Sequence, residues 1–291
     1  MLGSVLTAII TPFKADGAID YDAFADLCVW LVDNGSDGLV VAGTTGECPT
    51  LLDPERVELV RVAKAAVGDR ASIVAGTGTN ATADSIQITE MAHEAGADAF
   101  LVVTPYYNKP PQRGIVAHFA AVAACTDRPV IAYNIPGRVV VNVESATMTE
   151  LAKIPNLTAV KQANDDIEQA KHIVSLGLDL YAGDDNLVQP FLEIGGKGGI
   201  CVHTHVVGPQ VASQVAAMRD GDLEAARAID RELAPAYDLL KISTNPIAIK
   251  AAVELLGHRT GGFRLPLVPP TAEELSAVRG CLERLNLLGS A

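Results

Sequence analysis

The sequence has few cysteines, and none of them belongs to a metal or redox motif. The five are Cys28, Cys48, Cys125, Cys201 and Cys281, an odd and scattered set without C-x-x-C spacing. Such a set indicates reduced thiols in the core or at its rim, and it argues against a disulfide framework or a zinc site. We therefore predict a fold without disulfides or a bound metal.

The chain also lacks basic clusters and long apolar runs. Its formal net charge is -13, and binding of nucleic-acid phosphates needs a basic face, so a nucleic-acid partner is not expected. No apolar run approaches the roughly 20 residues of a membrane span. The start, "MLGSVLTAIITPF", has no basic segment and soon reaches Pro12, which argues against a signal peptide. We expect a cytoplasmic protein without a membrane partner.

Apolar residues, by contrast, make up 49% of the 291 residues and fall into short runs separated by segments of helical period. The runs are continuously apolar, as in parallel strands buried on both faces. Helical segments include 22–34, 82–95 and one with Asp53 as N-cap and Pro54 in its first turn. Eight runs are predicted as strands, over residues 4–10, 38–42, 72–76, 99–103, 129–134, 157–161, 180–183 and 199–203.

Strict alternation of eight strands with helices predicts an α/β fold, a (β/α)8 TIM barrel, over residues 1–221. The first strand is not followed by Gly-x-Gly-x-x-Gly, which argues against a dinucleotide-binding sheet. After the eighth strand only helical segments follow. They lie near 209–219, 222–240, 244–256 and 272–287, so we expect a C-terminal helical region over 222–291.

Reactive residues of barrel enzymes lie at the carboxyl ends of the strands, and the sixth strand ends in Lys161 with no turn residue before it. Taken alone, this lysine is best explained as one that reaches solvent or pairs with Asp184 or Asp185. The alternative is a Schiff-base nucleophile. Such an amine must be neutral to attack a carbonyl, and burial at an apolar mouth disfavours the ammonium form.

Three other strand ends carry polar residues with two interpretations each. Tyr133 could move protons, or it could be a core tyrosine with a satisfied hydroxyl. Arg138 has the planar fork that suits a carboxylate, although, taken alone, it is better explained by a surface ion pair. The loop "GTTGE" (43–47) could hold a carboxylate with its hydroxyls and backbone N–H groups, or it could be a tight turn.

Together these residues resemble the dihydrodipicolinate synthase family of pyruvate-dependent Schiff-base lyases. The resemblance covers nearly the whole chain, with motif order and spacing in agreement. It is carried by "LTAIITPF", "GLVVAGTTGECPTL", "VVTPYYNKP", "IAYNIPGR", "AVKQA", "YAGDDN" and "GFRLPL".

The resemblance implies a lyase of lysine and diaminopimelate biosynthesis. It would condense pyruvate, held as an imine on Lys161, with L-aspartate 4-semialdehyde to give 4-hydroxy-tetrahydrodipicolinate. No metal or organic cofactor is implied, and the usual assembly is a homotetramer built as a dimer of dimers. The implied roles are a proton relay of Thr44, Tyr107 and Tyr133, with Tyr107 acting across the dimer interface, and substrate contacts from Thr45, Arg138, Gly183 and Ile200.

The sequence departs from the family in two places. Gln162 stands where the family usually has an acidic residue. In the pocket where lysine inhibits sensitive members, Asp53 and Arg56 replace the usual histidines, and Cys48 with Pro49 also differs. We therefore expect weak or absent inhibition by L-lysine. The residues of the possible lysine site are Asn80, Tyr106 and Asp84.

Several rival functions remain open from sequence. An N-acetylneuraminate lyase or a 2-keto-3-deoxy sugar acid aldolase would share Lys161 and Tyr133, but Arg138 favours a dicarboxylic product. A metal-dependent aldolase would use an H-x-H pair on one face of a strand; its ligands would be His203, His205, Asp184 and Asp185. A phosphate-binding isomerase fits poorly, because "GGKGG" (195–199) precedes the eighth strand. A non-catalytic binding protein would have little need of these side chains.

Overall fold

The computed structural model describes residues 2–288, and its centre is a closed barrel of parallel strands in sequence order. The predicted (β/α)8 barrel is confirmed, and each predicted strand end lies within two residues of the observed one. The strands are β1 Val5–Ala8, β2 Gly38–Val41, β3 Ser72–Gly76, β4 Ala99–Val103, β5 Val130–Asn134, β6 Leu157–Gln162, β7 Asp179–Ala182 and β8 Gly198–Cys201.

Helices follow the strands and form the outer layer. In chain order they are α1 Tyr21–Asp33, α2 Asp53–Val67, α3 Thr82–Glu94, α4 Gln112–Ala123, α5 Pro136–Val139, α6 Ser145–Leu151, α7 Ile167–Ser175, α8 Val188–Glu193, α9 Thr204–Arg219, α10 Leu223–Glu232, α11 Ala234–Leu239, α12 Ile247–Leu255 and α13 Ala272–Arg284. Among the described residues, no helix is both long and apolar enough to cross a membrane.

Several helix boundaries differ from the prediction; α9, for example, begins at Thr204 and not near residue 209. Asp53 is not the N-cap of α2 but its first residue, and Leu52 occupies the cap position. The Leu52 N–H is satisfied from inside the helix, because it donates to Glu55 Oε2 at 2.9 Å. The helix expected over 222–240 is interrupted at Leu233, just before Pro235, whose ring nitrogen cannot donate a helical hydrogen bond.

The strands are continuously apolar because each is buried on both faces. In β1, Leu6 and Ala8 belong to the cluster that fills the barrel, whereas Val5 packs in the layer between the strands and the helices. In β6 the same alternation puts Ala159 inside the barrel and Val160 outside it. Lys161 therefore shares the inner face with Ala159.

The pairing of β5 with β6 contains one irregularity. Val130 lies opposite Leu157, but Ile131 lies opposite Ala159, so Thr158 is an extra residue on β6. Without it, Val160 would lie opposite Tyr133. The bulge places Lys161 there instead, with both residues on the inner face.

The C-terminal helices pack on the outside of the barrel and on one another. Helix α13 packs against α11 and α12, and α10 packs against α9. The segment between α11 and α12 reaches the mouth of the barrel, where Leu240, Ser243, Thr244 and Asn245 line its cavity. The boundary at residue 221 stays a prediction, since the C-terminal region contributes directly to the candidate site.

Candidate active site

A cavity of about 290 Å³ opens at the carboxyl ends of the strands. That volume suits small organic molecules of a few carbon atoms. Of the eight residues to which the resemblance assigns a catalytic or substrate-binding role, six line it together: Thr44, Thr45, Tyr133, Arg138, Lys161 and Gly183. The structure thus brings together strand ends that are more than a hundred residues apart in the chain.

Lys161 reaches the cavity from the inner face of β6 and is only 5% exposed. Its Nζ lies 4.3 Å from the centroid of the Tyr133 ring. Among residues 2–288 it has no carboxylate within 4 Å, and Asp185 contacts His203 instead. The amine is therefore buried and has no carboxylate partner, which differs from both the solvent-exposed lysine and the pair with Asp184 or Asp185 considered from sequence.

Tyr133 is held at its backbone by the neighbouring strand end. Its carbonyl accepts hydrogen bonds from the N–H of Thr104 at 3.0 Å and from the Thr104 hydroxyl at 2.9 Å. The side chain is 5% exposed and lines the cavity beside Lys161. The phenol ring therefore lies next to the amine, and its hydroxyl is a candidate for proton exchange with a group bound to Lys161.

The loop after β2 presents Thr44 and Thr45 to the cavity and is anchored at several points. Thr11 Oγ1 donates to the Gly46 carbonyl at 2.7 Å. Asn245 Nδ2 donates to Thr45 Oγ1 at 2.9 Å. Asn245 was not identified from sequence, because it lies 200 residues from Thr45 and no local pattern indicates that contact.

A buried ion pair lies behind this loop. Lys250 Nζ donates to Glu47 Oε1 at 2.8 Å and to the carbonyls of Thr11 and Gly262 at 3.0 and 2.6 Å. Lys250 and Glu47 are 1% and 0% exposed. All three ammonium hydrogens are satisfied, so the pair fastens the loop after β2 to the loop after β1 and to the C-terminal region.

Arg138 also lines the cavity and lies on the short helix α5 after β5. Its guanidinium is exposed and pairs with no carboxylate within 4 Å among the described residues. Asp184 also lines the cavity. Burial raises the pKa of Asp184, the charge of Asp185 adds to this rise, and Lys161 and Arg138 oppose it. The cavity is therefore lined by a lysine amine and a guanidinium that have no carboxylate partner within 4 Å among the described residues.

Gly183 and Ile200 differ in their placement. Gly183 N–H donates to the Gln162 carbonyl at 2.7 Å, and a Cβ on Gly183 would lie 2.8 Å from Ala163 Cβ, so only glycine fits. Ile200 is fully buried in β8 within the apolar interior of the barrel. Ile200 is not among the residues that line the cavity, so its role there rests on the resemblance alone.

Tyr107 lies outside the cavity, on the loop after β4. It is 89% exposed, and its backbone has φ +73°, the left-handed region that non-glycine residues seldom adopt. A bulky aromatic residue held in this conformation and pointing into solvent is unusual for a monomer surface. The structure of one chain therefore does not bring Tyr107 to Tyr133.

The residues of the possible lysine site gather around Tyr106. Burial raises the pKa of Tyr106, Cys48 and Asp84 add to the rise, and Arg56 opposes it together with a hydrogen bond from the Asn80 backbone. Arg56 itself donates to the Cys48 carbonyl at 2.7 Å. The three residues predicted for this site are thus close to one another, with a guanidinium among them.

The possible metal ligands do not have the expected geometry. Strand β8 ends at Cys201, so His203 and His205 lie at the start of α9 and not on a strand. Asp185, Cys201 and His203 offer ligand atoms within 4.8 Å of one another. Asp185 Oδ1, however, already accepts the N–H groups of Val202 and His203, at 2.7 and 2.6 Å, and contacts the His203 ring. These hydrogen bonds explain why the Asp185 carboxylate is buried at this position.

His205 is also explained by hydrogen bonds. Its Nδ1 donates to the Val202 carbonyl at 2.8 Å, and its Nε2 accepts the Ile10 N–H at 3.2 Å. A neutral imidazole satisfies both contacts, and burial lowers the pKa of His205 to about 4. This ring joins α9 to the end of β1 and does not line the cavity.

A closed parallel barrel with an unpaired lysine amine at its mouth defines a barrel enzyme equipped for carbonyl chemistry. The chain belongs to the dihydrodipicolinate synthetase family, whose family model matches residues 1–285. It is 47% identical to the 4-hydroxy-tetrahydrodipicolinate synthase of Moorella thermoacetica over 289 residues, which covers 98% of this chain and 99% of that protein.

Two solved structures extend the comparison to the fold. The dihydrodipicolinate synthase of Cyanidioschyzon merolae, solved with lysine bound, has a TM-score of 0.96 and 41% identity, with 99% of both chains covered. The chloride-inhibited dihydrodipicolinate synthase of Acinetobacter baumannii, solved with pyruvate, has a TM-score of 0.96 and 32% identity over 99% of this chain and 100% of that one.

Proposed function

We propose that this protein is a 4-hydroxy-tetrahydrodipicolinate synthase, which condenses pyruvate with L-aspartate 4-semialdehyde in the biosynthesis of diaminopimelate and lysine. The observation that carries the proposal is the buried Lys161 amine, which has no carboxylate partner among the described residues and faces the cavity. Family membership and the relatives that carry this name support the same reaction.

In the first half-reaction, the Lys161 amine attacks C2 of pyruvate and forms a carbinolamine. Loss of one water gives the imine, and loss of a proton from C3 gives the enamine. Thr45 and the backbone N–H groups of its loop hold the pyruvate carboxylate, because the loop is anchored with its hydroxyl edge toward the cavity. Binding of pyruvate by a relative of the same fold supports this assignment.

Proton transfer is assigned to three hydroxyl groups. Tyr133 is assigned as the acid and base for the amine, since it lines the same cavity and its ring centroid lies 4.3 Å from Lys161 Nζ. Thr44 lines the same cavity, and Tyr107 would complete the relay from a second copy of the chain. The exposure and the constrained backbone of Tyr107 support this role in an assembly.

In the second half-reaction, the enamine carbon attacks the aldehyde carbon of L-aspartate 4-semialdehyde. Arg138 binds the carboxylate of this substrate through its two-pronged guanidinium. The backbones of Gly183 and Ile200 would line the substrate pocket, as the resemblance implies. The amino group of the substrate then displaces Lys161 from the imine carbon, which closes the ring and frees the enzyme.

We further infer that the enzyme needs no metal or organic cofactor, because the imine itself acts as the electron sink. It would work in the cytoplasm as a homotetramer, a dimer of dimers, with Tyr107 in the tighter interface. Small-molecule substrates would be its only other partners. Because Arg56 occupies the surroundings of Asn80, Tyr106 and Asp84, inhibition by L-lysine is proposed to be weak or absent.

The proposal is tested by assaying the purified chain with pyruvate and L-aspartate 4-semialdehyde in the presence of EDTA. A panel of N-acetylneuraminate and 2-keto-3-deoxy sugar acids serves as the competing set. We expect turnover of the first pair only, and its loss in Lys161→Met. The control is Lys153→Met, because Lys153 is an exposed lysine paired with Glu150. Cleavage of a sugar acid in preference to synthesis would contradict the proposal.

A further inference from the structure

Five carboxamide side chains form a hydrogen-bonded group behind the mouth of the barrel, on the outer face of β5 and β6. Asn134 directly follows Tyr133, and Gln162 directly follows Lys161, so the two amides lie opposite each other in the next step of the ladder. Both are fully buried. We call this group the amide cluster; it consists of Asn134, Asn142, Gln162, Asn164 and Gln169.

Gln162 is the centre of the amide cluster, and all its polar hydrogens are used. Its Nε2 donates to Asn164 Oδ1 at 2.7 Å and to Gln169 Oε1 at 2.6 Å. Its Oε1 accepts from Asn134 Nδ2 at 3.0 Å. Gln162 therefore acts as donor and acceptor at once, which only a neutral amide can do at this position.

The amide cluster closes the base of the loop that carries Arg138. The chain leaves β5 after Asn134 and returns to the same side chain eight and nine residues later: Asn134 Nδ2 donates to Asn142 Oδ1 at 2.8 Å, and Asn134 Oδ1 accepts the Val143 N–H at 3.1 Å. Gln169 Nε2 also donates to the Val143 carbonyl at 2.8 Å. Both ends of the loop over 135–143 are thus tied to the amide cluster.

The loop needs this support because its own backbone is strained. Val140 has φ +68° and is 69% exposed, although a β-branched residue strongly disfavours the left-handed region. Such a conformation persists only where the surrounding structure fixes it. Gln112 adds a further side-chain support, because its Nε2 donates to the Asn142 carbonyl at 2.8 Å.

We propose that the amide cluster, centred on Gln162, positions the Arg138 guanidinium for the carboxylate of the second substrate. This inference rests on the proposed function for the identity of that substrate. Gln162 is a positioning residue that acts through Asn134 and the loop over 135–143. The ladder bonds of β5 and β6 hold Tyr133 and Lys161 without it, so pyruvate chemistry does not depend on the amide cluster.

The variant Gln162→Glu tests this role with almost no change of shape. A carboxylate cannot donate to Asn164 and Gln169, and it would face their oxygens instead. We expect the KM for L-aspartate 4-semialdehyde to rise about tenfold, as is typical when an outer partner of a binding residue is lost. The KM for pyruvate and the borohydride trapping of Lys161 are expected to stay unchanged.

Asn156→Asp is the matched control, since it is the same amide-to-acid change next to the other end of β6. Asn156 Nδ2 donates to three backbone carbonyls, those of Ala123, Thr126 and Arg128. This variant should lose stability while it keeps the wild-type KM for both substrates. An equal rise of the aldehyde KM in both variants would contradict a specific role for Gln162.

A double-mutant cycle tests the route through Arg138. In an Arg138→Ala background, Gln162→Glu should cause no further loss of kcat/KM for the aldehyde, because the guanidinium that Gln162 positions is already absent. Independent losses that multiply would overturn the proposal, as would a parallel rise in the KM for pyruvate.

Amide hydrogen exchange on the free enzyme provides a readout that does not depend on the substrate. Peptides covering 135–143 should exchange at least about tenfold faster in Gln162→Glu than in the wild type or in Asn156→Asp. Unchanged exchange would overturn the link between the amide cluster and the loop. Failure of the wild type to use the aldehyde would instead count against the proposed function, and the exchange result would still stand.

Discussion

Lys161 lies directly opposite Tyr133 in the β5–β6 ladder, with its Nζ 4.3 Å from the centroid of the phenol ring. The extra residue Thr158 produces this pairing, because it shifts β6 by one position and turns Lys161 to the inner face. The amine and the phenol therefore share the cavity, whereas the amides that follow them share the outer face. The bulge at Thr158 thus sets two pairings, that of Lys161 with Tyr133 in the cavity and that of Gln162 with Asn134 on the outer face.

Tyr133→Phe is expected to lower kcat by about two to four orders of magnitude, since it removes the acid and base beside the amine. The aromatic ring remains, so the packing around Lys161 is kept. Steady-state kinetics should show little change in the KM for pyruvate. A variant with wild-type kcat would contradict the assignment of Tyr133 to proton transfer.

Lys250→Met is expected to cost about 3–5 kcal/mol of unfolding free energy, because it leaves the Glu47 carboxylate buried without its cation. Urea denaturation measures the loss. The double variant Lys250→Met/Glu47→Leu should recover part of it, since the buried charge is then removed. The control Lys153→Met breaks an exposed pair and should change stability by less than about 1 kcal/mol.

Stability is expected to fall as the pH drops from about 6.5 toward 4, partly through His205. Burial lowers its pKa in the folded state to about 4, so below pH 6.5 the unfolded chain takes up a proton that the folded one does not. His205 then contributes a loss of about 2 kcal/mol between pH 7 and pH 5, and none above pH 7.

Chemical denaturation at the two pH values checks this effect of His205. In His205→Gln the amide oxygen can accept the Ile10 N–H, and the loss between pH 7 and pH 5 should shrink by about 2 kcal/mol. Burial also lowers the pKa of His118 to about 4, and His118 keeps its own contribution to the pH dependence of stability in that variant. An unchanged pH dependence would contradict the role of His205.

L-lysine at sub-millimolar concentration is expected to leave the activity nearly unchanged. Arg56 lies beside Tyr106, and its positive charge disfavours the ammonium groups of lysine. Replacement of Arg56 by histidine should increase sensitivity. Inhibition curves for the wild type and Arg56→His decide the matter, and strong inhibition of the wild type would contradict the expectation.

The barrel could be predicted from the sequence because burial on both faces makes each strand a continuous apolar run. Lys161, Tyr133, Thr45 and Arg138 could be proposed because barrel chemistry occurs where such runs end. Their meeting in one cavity follows from the parallel order of the strands.

The supports of the site could not be predicted in this way. Asn245 and Lys250 act on residues about 200 positions earlier, and no local pattern indicates such contacts. The Thr158 bulge depends on the register between two strands, which periodicity does not set. The sequence also predicts Asp53 as the N-cap of α2, but Leu52 occupies that position. The Leu52 N–H donates to the side chain of Glu55, which lies inside the helix.

The most direct test of the account is mass spectrometry of the enzyme after reduction with borohydride in the presence of pyruvate. The account predicts a single stable adduct of one pyruvate, mapped by peptide sequencing to Lys161, with irreversible loss of activity only when pyruvate is present. An unmodified Lys161, or an adduct on another lysine, would contradict the central claim.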